Sequence, residues 1–159
     1  MHLQKASRLG LYAVLLMASV PKDLVTASMI AEAYGVSENH VAKVLQQLAR
    51  AGIVRGVRGA SGGYQLAITP KELTMFDVVR VLEGELTPTC FGCDAVGPEN
   101  SPNCAVYESC PIRGVMEEIA EHTYYTLRSV TIAALVAAEG RAATARRALR
   151  DSPGAKSPR

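Results

Sequence analysis

Four cysteines, Cys90, Cys93, Cys104 and Cys110, fall within one 21-residue stretch, and the chain has no others. Two residues separate the first pair, ten separate Cys93 from Cys104, and five separate Cys104 from Cys110, which Pro111 follows. Soft thiolates converging from one loop can hold a metal ion or an iron–sulfur cluster. Iron–sulfur ligation suits the segment best, because three or four thiolates can surround a cubane or a rhomb and a Cys-Pro after the last ligand is common at such sites. A structural zinc would want two tight Cys-x-x-Cys knuckles, and five residues split the second pair here. A redox dithiol at Cys90 and Cys93 lacks a βαβ setting and leaves two thiols without a task. These readings stay open on spacing, in that order, ahead of a flexible loop with unligated thiols, which four cysteines so close together disfavour; all four are candidate metal ligands.

The rest of the chain says what such a site would control. With 159 residues, 48% of them hydrophobic, it has the size and composition of one ordinary globular domain. Its apolar runs are too short and interrupted to span a bilayer, so no membrane partner is expected. Leu9 to Val20 follows a basic start but lacks a cleavage pattern and reads as an amphipathic helix. The expected location is therefore the cytoplasm, where thiols stay reduced and four clustered cysteines act as ligands or sensors rather than structural disulfides.

The formal net charge of +2 hides a strong asymmetry. Residues 1–71 carry eight Lys/Arg against three Asp/Glu, residues 72–140 three against eleven, and residues 141–159 six against one. A basic first part beside an acidic second part implies that only the first part meets a polyanion.

The elements that would position these groups follow from periodicity. Ser7 is the expected N-cap of a first helix with Leu9, Tyr12, Ala13, Leu16 and Met17 at helical spacing, ended by Pro21. Thr26 starts a short second helix closed by Gly35. Ser37 caps a third, whose stripe is Val41, Val44, Leu45 and Leu48. The intervening Gly35-Val36 is the turn a helix-turn-helix needs. Two strands, 53–58 and 64–68, then flank a glycine-rich tip, which makes the arrangement a winged helix. Thr74-x-x-Asp77 opens a fourth helix as a capping box, and Gly84 closes it.

Proline-rich residues 85–111 read as a functional loop. Pro111 then opens a helix of about thirty residues, to Gly140, with Ile112, Val115, Met116, Ile119, Thr123, Leu127, Val130 and Ala134 on one face. So long a stripe needs a two-fold partner, which makes this a dimerisation helix. Residues 141–159 read as a basic, mostly disordered tail. The expected fold is mainly α with a small β hairpin. Its parts are a winged helix-turn-helix over 1–84, a cluster loop over 85–111, a dimerisation helix over 112–140, and the tail.

The third helix is the candidate DNA reader, with Ser37, Asn39, His40, Lys43, Gln46 and Gln47 on its polar face. Arg55, Arg58 and Ser61 of the hairpin complete the candidate DNA-binding set, the small tip fitting a minor groove with an arginine extended. His2 and His122 carry no evident role. No nucleophile elbow, catalytic triad or paired carboxylates appear, so an enzyme is not expected.

Three runs, Tyr34-Gly35-Val36-Ser37-x-Asn39-His40, Leu48-Ala49-Arg50-Ala51-Gly52-Ile53-Val54 and Val57-Arg58-Gly59-x-x-Gly62-Gly63-Tyr64-x-Leu66, resemble the IscR/NsrR family of bacterial winged-helix regulators that carry iron–sulfur clusters. Asp77-Val78-Val79-Arg80-x-Leu82-Glu83 and Cys104-x5-Cys110-Pro111-x-Arg113 continue the resemblance, which covers about residues 1–135. It implies a homodimer on partly palindromic double-stranded promoter DNA, with affinity set by cluster state. It also implies that the helix over 37–49 reads the major groove and Arg58 enters the minor groove.

Cys104 and Cys110 match the family's second and third ligands. Cys90 matches the first by its distance from the preceding helix, Cys93 by its gap to Cys104. The sequence departs from the family where other members take a fourth ligand. Arg113 stands where one has a histidine, and Arg8 where others use an aspartate of the partner subunit. An all-cysteine site within one subunit is the expectation, with a 4Fe–4S cluster preferred over 2Fe–2S. The reading is an iron–sulfur transcription regulator, a repressor, sensing nitric oxide or redox and oxygen state. The alternatives are a winged-helix DNA-binding protein with structural zinc, or a thiol-redox or electron-transfer protein.

Overall fold

The computed structural model describes residues 3–59, 62–84 and 110–150, with side chains described through Arg141. Cys90, Cys93, Cys104, Ser61, residues 85–109 of the loop expected over 85–111 and residues 151–159 of the tail expected over 141–159 lie outside the described residues. The chain order is α1 (Lys5–Ser19), α2 (Ala27–Tyr34), α3 (Glu38–Arg50), β1 (Val54–Val57), β2 (Gly63–Leu66), α4 (Met75–Glu83), α5 (Pro111–Ser129) and α6 (Ile132–Arg150). A mostly helical fold with one antiparallel hairpin is what the sequence pattern predicts.

Helix α1 buries Leu9, Leu11, Ala13, Val14 and Met17 against α3 and α4. Ser7 is not its cap but lies inside the helix, fully buried, with a hydroxyl that has no hydrogen-bond partner among the described residues. The helix begins after Gln4, whose backbone N–H donates to Glu83 Oε1 at 2.8 Å. A carboxylate from the end of α4 thus supplies what a capping-box residue would supply locally, which frees Ser7 to turn inward. Tyr12, expected on the apolar stripe, is instead 47% exposed.

Thr26 caps α2 by accepting from Met29 N at 3.1 Å, and Gly35 ends it in the left-handed region at φ 62°. In α3 the four expected residues Val41, Val44, Leu45 and Leu48 are all buried, so its opposite face is left to solvent. Ser37 occupies the N-cap of α3 but makes no side-chain cap hydrogen bond. The capping box of α4 is complete: Thr74 Oγ1 accepts from Asp77 N at 3.2 Å, and Asp77 Oδ2 accepts from Thr74 N at 3.0 Å.

The single helix expected from Pro111 to Gly140 is two helices. Val130 is extended, its carbonyl accepts from Met75 N at 2.9 Å, and Ile132 N donates to the Leu73 carbonyl at 2.8 Å. Backbone bonds to Leu73 and to Met75, the first residue of α4, therefore replace two within a helix, and the β-branched run Val130-Thr131-Ile132 tolerates the extended geometry. Ile132 lands fully buried in the core, and Thr131 restarts the helix by accepting from Ala134 N at 3.2 Å. Helix α6 then runs through Gly140, the expected end, to Arg150. No helix among the described residues is long and apolar enough to cross a membrane.

Candidate nucleic-acid interface

Helix α3 and the hairpin stand side by side because both pack on the same core. Ile53 and Val54 are buried at the start of β1, and the Ile53 N–H returns to the Leu48 carbonyl at 2.9 Å, so the strand leaves α3 without slack. The hairpin pairs Val54 with Leu66, Arg55 with Gln65, Gly56 with Tyr64 and Val57 with Gly63. Its second strand is pinned from outside, since Val25 N donates to the Tyr64 carbonyl at 2.9 Å and Tyr64 N to the Val25 carbonyl at 2.8 Å. Such pinning makes the wing a third partner of the helix pair rather than a free flap.

At the tip, Gly62 N donates to the Gly59 carbonyl at 2.9 Å, and a Cβ on Gly62 would come within 2.6 Å of the Val57 carbonyl. Only glycine allows that closure.

Between α3 and the wing lies a groove of about 760 Å³, walled by Asn39, Lys43 and Gln46 on the helix and by Gly56, Arg58 and Tyr64 on the hairpin. Lys43 and Arg58 are exposed and form no ion pair among the described residues. Two unneutralised cations beside amide donors and acceptors on one concave face suit a phosphate backbone flanked by base edges.

The structure brings Asn39, Lys43 and Arg58 of the candidate set together, with Gln46. Arg55 is elsewhere: successive residues of a strand face opposite sides, so Arg55 and its partner Gln65 lie on the other face from Gly56 and Tyr64. With the Gln65 amide oxygen turned toward it, the Arg55 guanidinium donates through Nε at 3.0 Å and Nη2 at 3.3 Å. Ser37 is exposed at the start of α3 but does not line the groove. His40 does not line it either; the ring is half-buried, and its Nε2 is enclosed without a hydrogen-bond partner among the described residues. Tyr64 and Gln65 were not singled out in the sequence for function. The alternation along β2 was the available signal.

Of the cysteines, Cys110 is described: a free, half-buried thiol at the N-cap of α5, with Pro111 in the first turn. Arg113, one turn on, has its Nε 3.4 Å from Glu117 Oε1. Among the described residues no three His, Cys, Asp or Glu side chains group to hold a metal.

Set against known proteins, residues 3–138 match the profile of Rrf2, an iron-dependent transcriptional regulator. The chain is 39% identical over 136 residues to BadM of Rhodopseudomonas palustris, named as an HTH-type transcriptional regulator, covering 86% of this chain and 81% of BadM. Among solved structures, that of CymR (YrzC), the global cysteine regulator of B. subtilis, superposes with a TM-score of 0.70 at 25% identity, over 86% of this chain and 97% of that one. IscR of T. potens superposes with a TM-score of 0.68 at 27% identity, over 89% and 90% of the respective chains.

Proposed function

Because the chain belongs to the Rrf2 family and is a winged-helix, DNA-binding transcription regulator, we propose that it works as a homodimer whose promoter affinity is set by an iron–sulfur cluster. The signal at that cluster is nitric oxide or the redox and oxygen state. The observation that carries the reading is the four-cysteine set itself, ending at a free thiol that begins the helix over 111–129.

The donor chemistry fits the group. Cys90, Cys93, Cys104 and Cys110 would hold it, and four thiolates are the number a cubane takes from a protein. Arg113 is engaged with Glu117 and is a cation in any case, so it offers no coordinating atom. When bound, the cluster supplies a centre that oxidants and nitric oxide can modify.

The chain's own residues do the remaining work. Holding Cys110 fixes the first turn of α5, α5 packs on α4, and α4 packs on both α1 and α3. A change in the anchorage of α5 therefore reaches α3 through packed side chains. Ile112, Val115 and Ile119 are 62, 56 and 47% exposed along one side of α5, and the proposed dimer seam covers them. Half-site spacing is set by dimer geometry, so a shift of α5 alters the separation of the two α3 helices and the affinity for a palindromic site.

Iron, acid-labile sulfide and zinc per subunit, measured with the visible spectrum on protein purified without oxygen, test this reading. Near-equal iron and sulfide with visible charge-transfer absorption are expected. Zinc alone, persisting after anaerobic reconstitution with iron and sulfide, would reduce the cysteines to a structural clasp.

The likeness to CymR, named as a cysteine regulator, supports a second reading in which thiol state alone is the signal. Protein free of metal that still changes DNA affinity on thiol oxidation would favour it.

A further inference from the structure

A second groove, of about 720 Å³, opens between the end of α1, the last residue of α2 and the middle of α6. Its walls are apolar, formed by Leu15, Leu16, Leu135 and Val136. Tyr12 and Tyr34 stack at its side, with ring centroids 4.8 Å apart and planes at 15°. Both rings are left open, Tyr12 at 47% and Tyr34 at 37% exposure.

Among the described residues the groove has one charged wall residue, Glu139, and it forms no ion pair with any of them. The Ser19 hydroxyl is committed to the Leu15 carbonyl at 2.9 Å. The Tyr34 hydroxyl reaches only 3.5 Å toward the Tyr12 carbonyl, the outer limit of a hydrogen bond.

We propose that this groove binds a small organic ammonium ion with an aromatic body. The cationic head would sit between the Glu139 carboxylate and the open tyrosine rings, with the body against Leu15, Leu16 and Val136. Size, shape and charge each point there. The volume is that of a small-molecule site, apolar walls with a few polar groups are the usual lining, and tyrosine faces and a carboxylate attract the same sign of charge. Burial, and next the Glu139 charge, raise the Tyr34 pKa above its ordinary value. The Glu139 carboxylate, rather than the burial, sets the sign of the local charge, and a carboxylate disfavours an anionic ligand.

The site is also placed to matter. Tyr34 is the last residue of α2, and only Gly35, Val36 and Ser37 separate it from α3.

The test is ligand-observed saturation-transfer NMR on the full-length protein with benzyltrimethylammonium, using benzyl alcohol and benzoate as neutral and anionic counterparts. Saturable binding of the cation alone is expected. Glu139→Gln should weaken it roughly three- to tenfold, the effect of one partly screened charge partner. Tyr34→Leu should abolish it, while circular dichroism shows an unchanged fold. Equal binding of the three probes, no binding of the cation, or full binding by Glu139→Gln would each overturn the proposal. Should Tyr34→Leu fail to fold, Glu139→Gln, at an exposed position, decides the matter alone.

Discussion

Arg58 and Lys43 face one groove yet should fail differently when removed. Arg58 stands beside Gly59 at the end of the first strand, and an arginine placed in a minor groove reads shape. Arg58→Ala is therefore expected to weaken binding to a selected site by about 1–3 kcal/mol and to leave iron and sulfide content unchanged. Normal binding by that variant, measured by fluorescence anisotropy, would remove Arg58 from the interface. Lys43 offers a point charge, suited to a phosphate. Lys43→Ala should weaken binding to all sequences alike and reduce the slope of log affinity against log salt by about one contact, roughly 0.9.

Arg55 presents a third case, because its guanidinium is already held by Gln65 across the hairpin. It faces away from the groove, so Arg55→Ala should cost less specific affinity than Arg58→Ala in the same anisotropy series. An equal loss would show that both faces of the wing meet DNA.

At the scale of elements, the recognition unit was legible because its signals are local. Val41, Val44, Leu45 and Leu48 form a 3.6-residue stripe, Gly35 ends α2, and Thr74 with Asp77 forms a box within four residues. The break between α5 and α6 was not legible, since it is made by Leu73 and Met75, which lie more than fifty residues away in sequence. Ser7 was misread for a similar reason, the cap of α1 being completed by Glu83.

Two measurements separate these cases. Thr74→Ala should lower stability by about 1 kcal/mol, the usual worth of a cap, and thermal unfolding would show it; no change would mean the box is redundant with the backbone bonds beside it. Ile132→Ala, which empties a fully buried position at the break, should cost about 2–5 kcal/mol. A loss below 1 kcal/mol would show that the junction is not anchored in the core. Of the candidate site, the helix and wing could be read ahead of the structure. The pinning of Tyr64 to Val25 could not, because nothing near Val25 announces a strand partner.

The molecule as a whole joins two charge regimes, a basic DNA-facing part and an acidic part that contains α4, α5 and the cysteines. Helix α5 belongs to the acidic part, packed on α4 along one side and exposing Ile112, Val115 and Ile119 on another. If that side is the dimer seam, Ile119→Glu places two like charges at or near the two-fold axis. Sedimentation should then report a monomer whose DNA affinity falls with the loss of paired half-sites; a stable dimer would move the seam elsewhere.

In the proposed mechanism the state of the four-cysteine centre governs DNA affinity. The most direct test is anaerobic fluorescence anisotropy of the protein on a DNA site selected from its own genome, before and after removal of iron and sulfide. A change in affinity of at least about tenfold, or 1.4 kcal/mol, is expected, and it should be lost in a Cys110→Ser variant. Equal affinity in the two states, with iron and sulfide shown to be present and then absent, would contradict it.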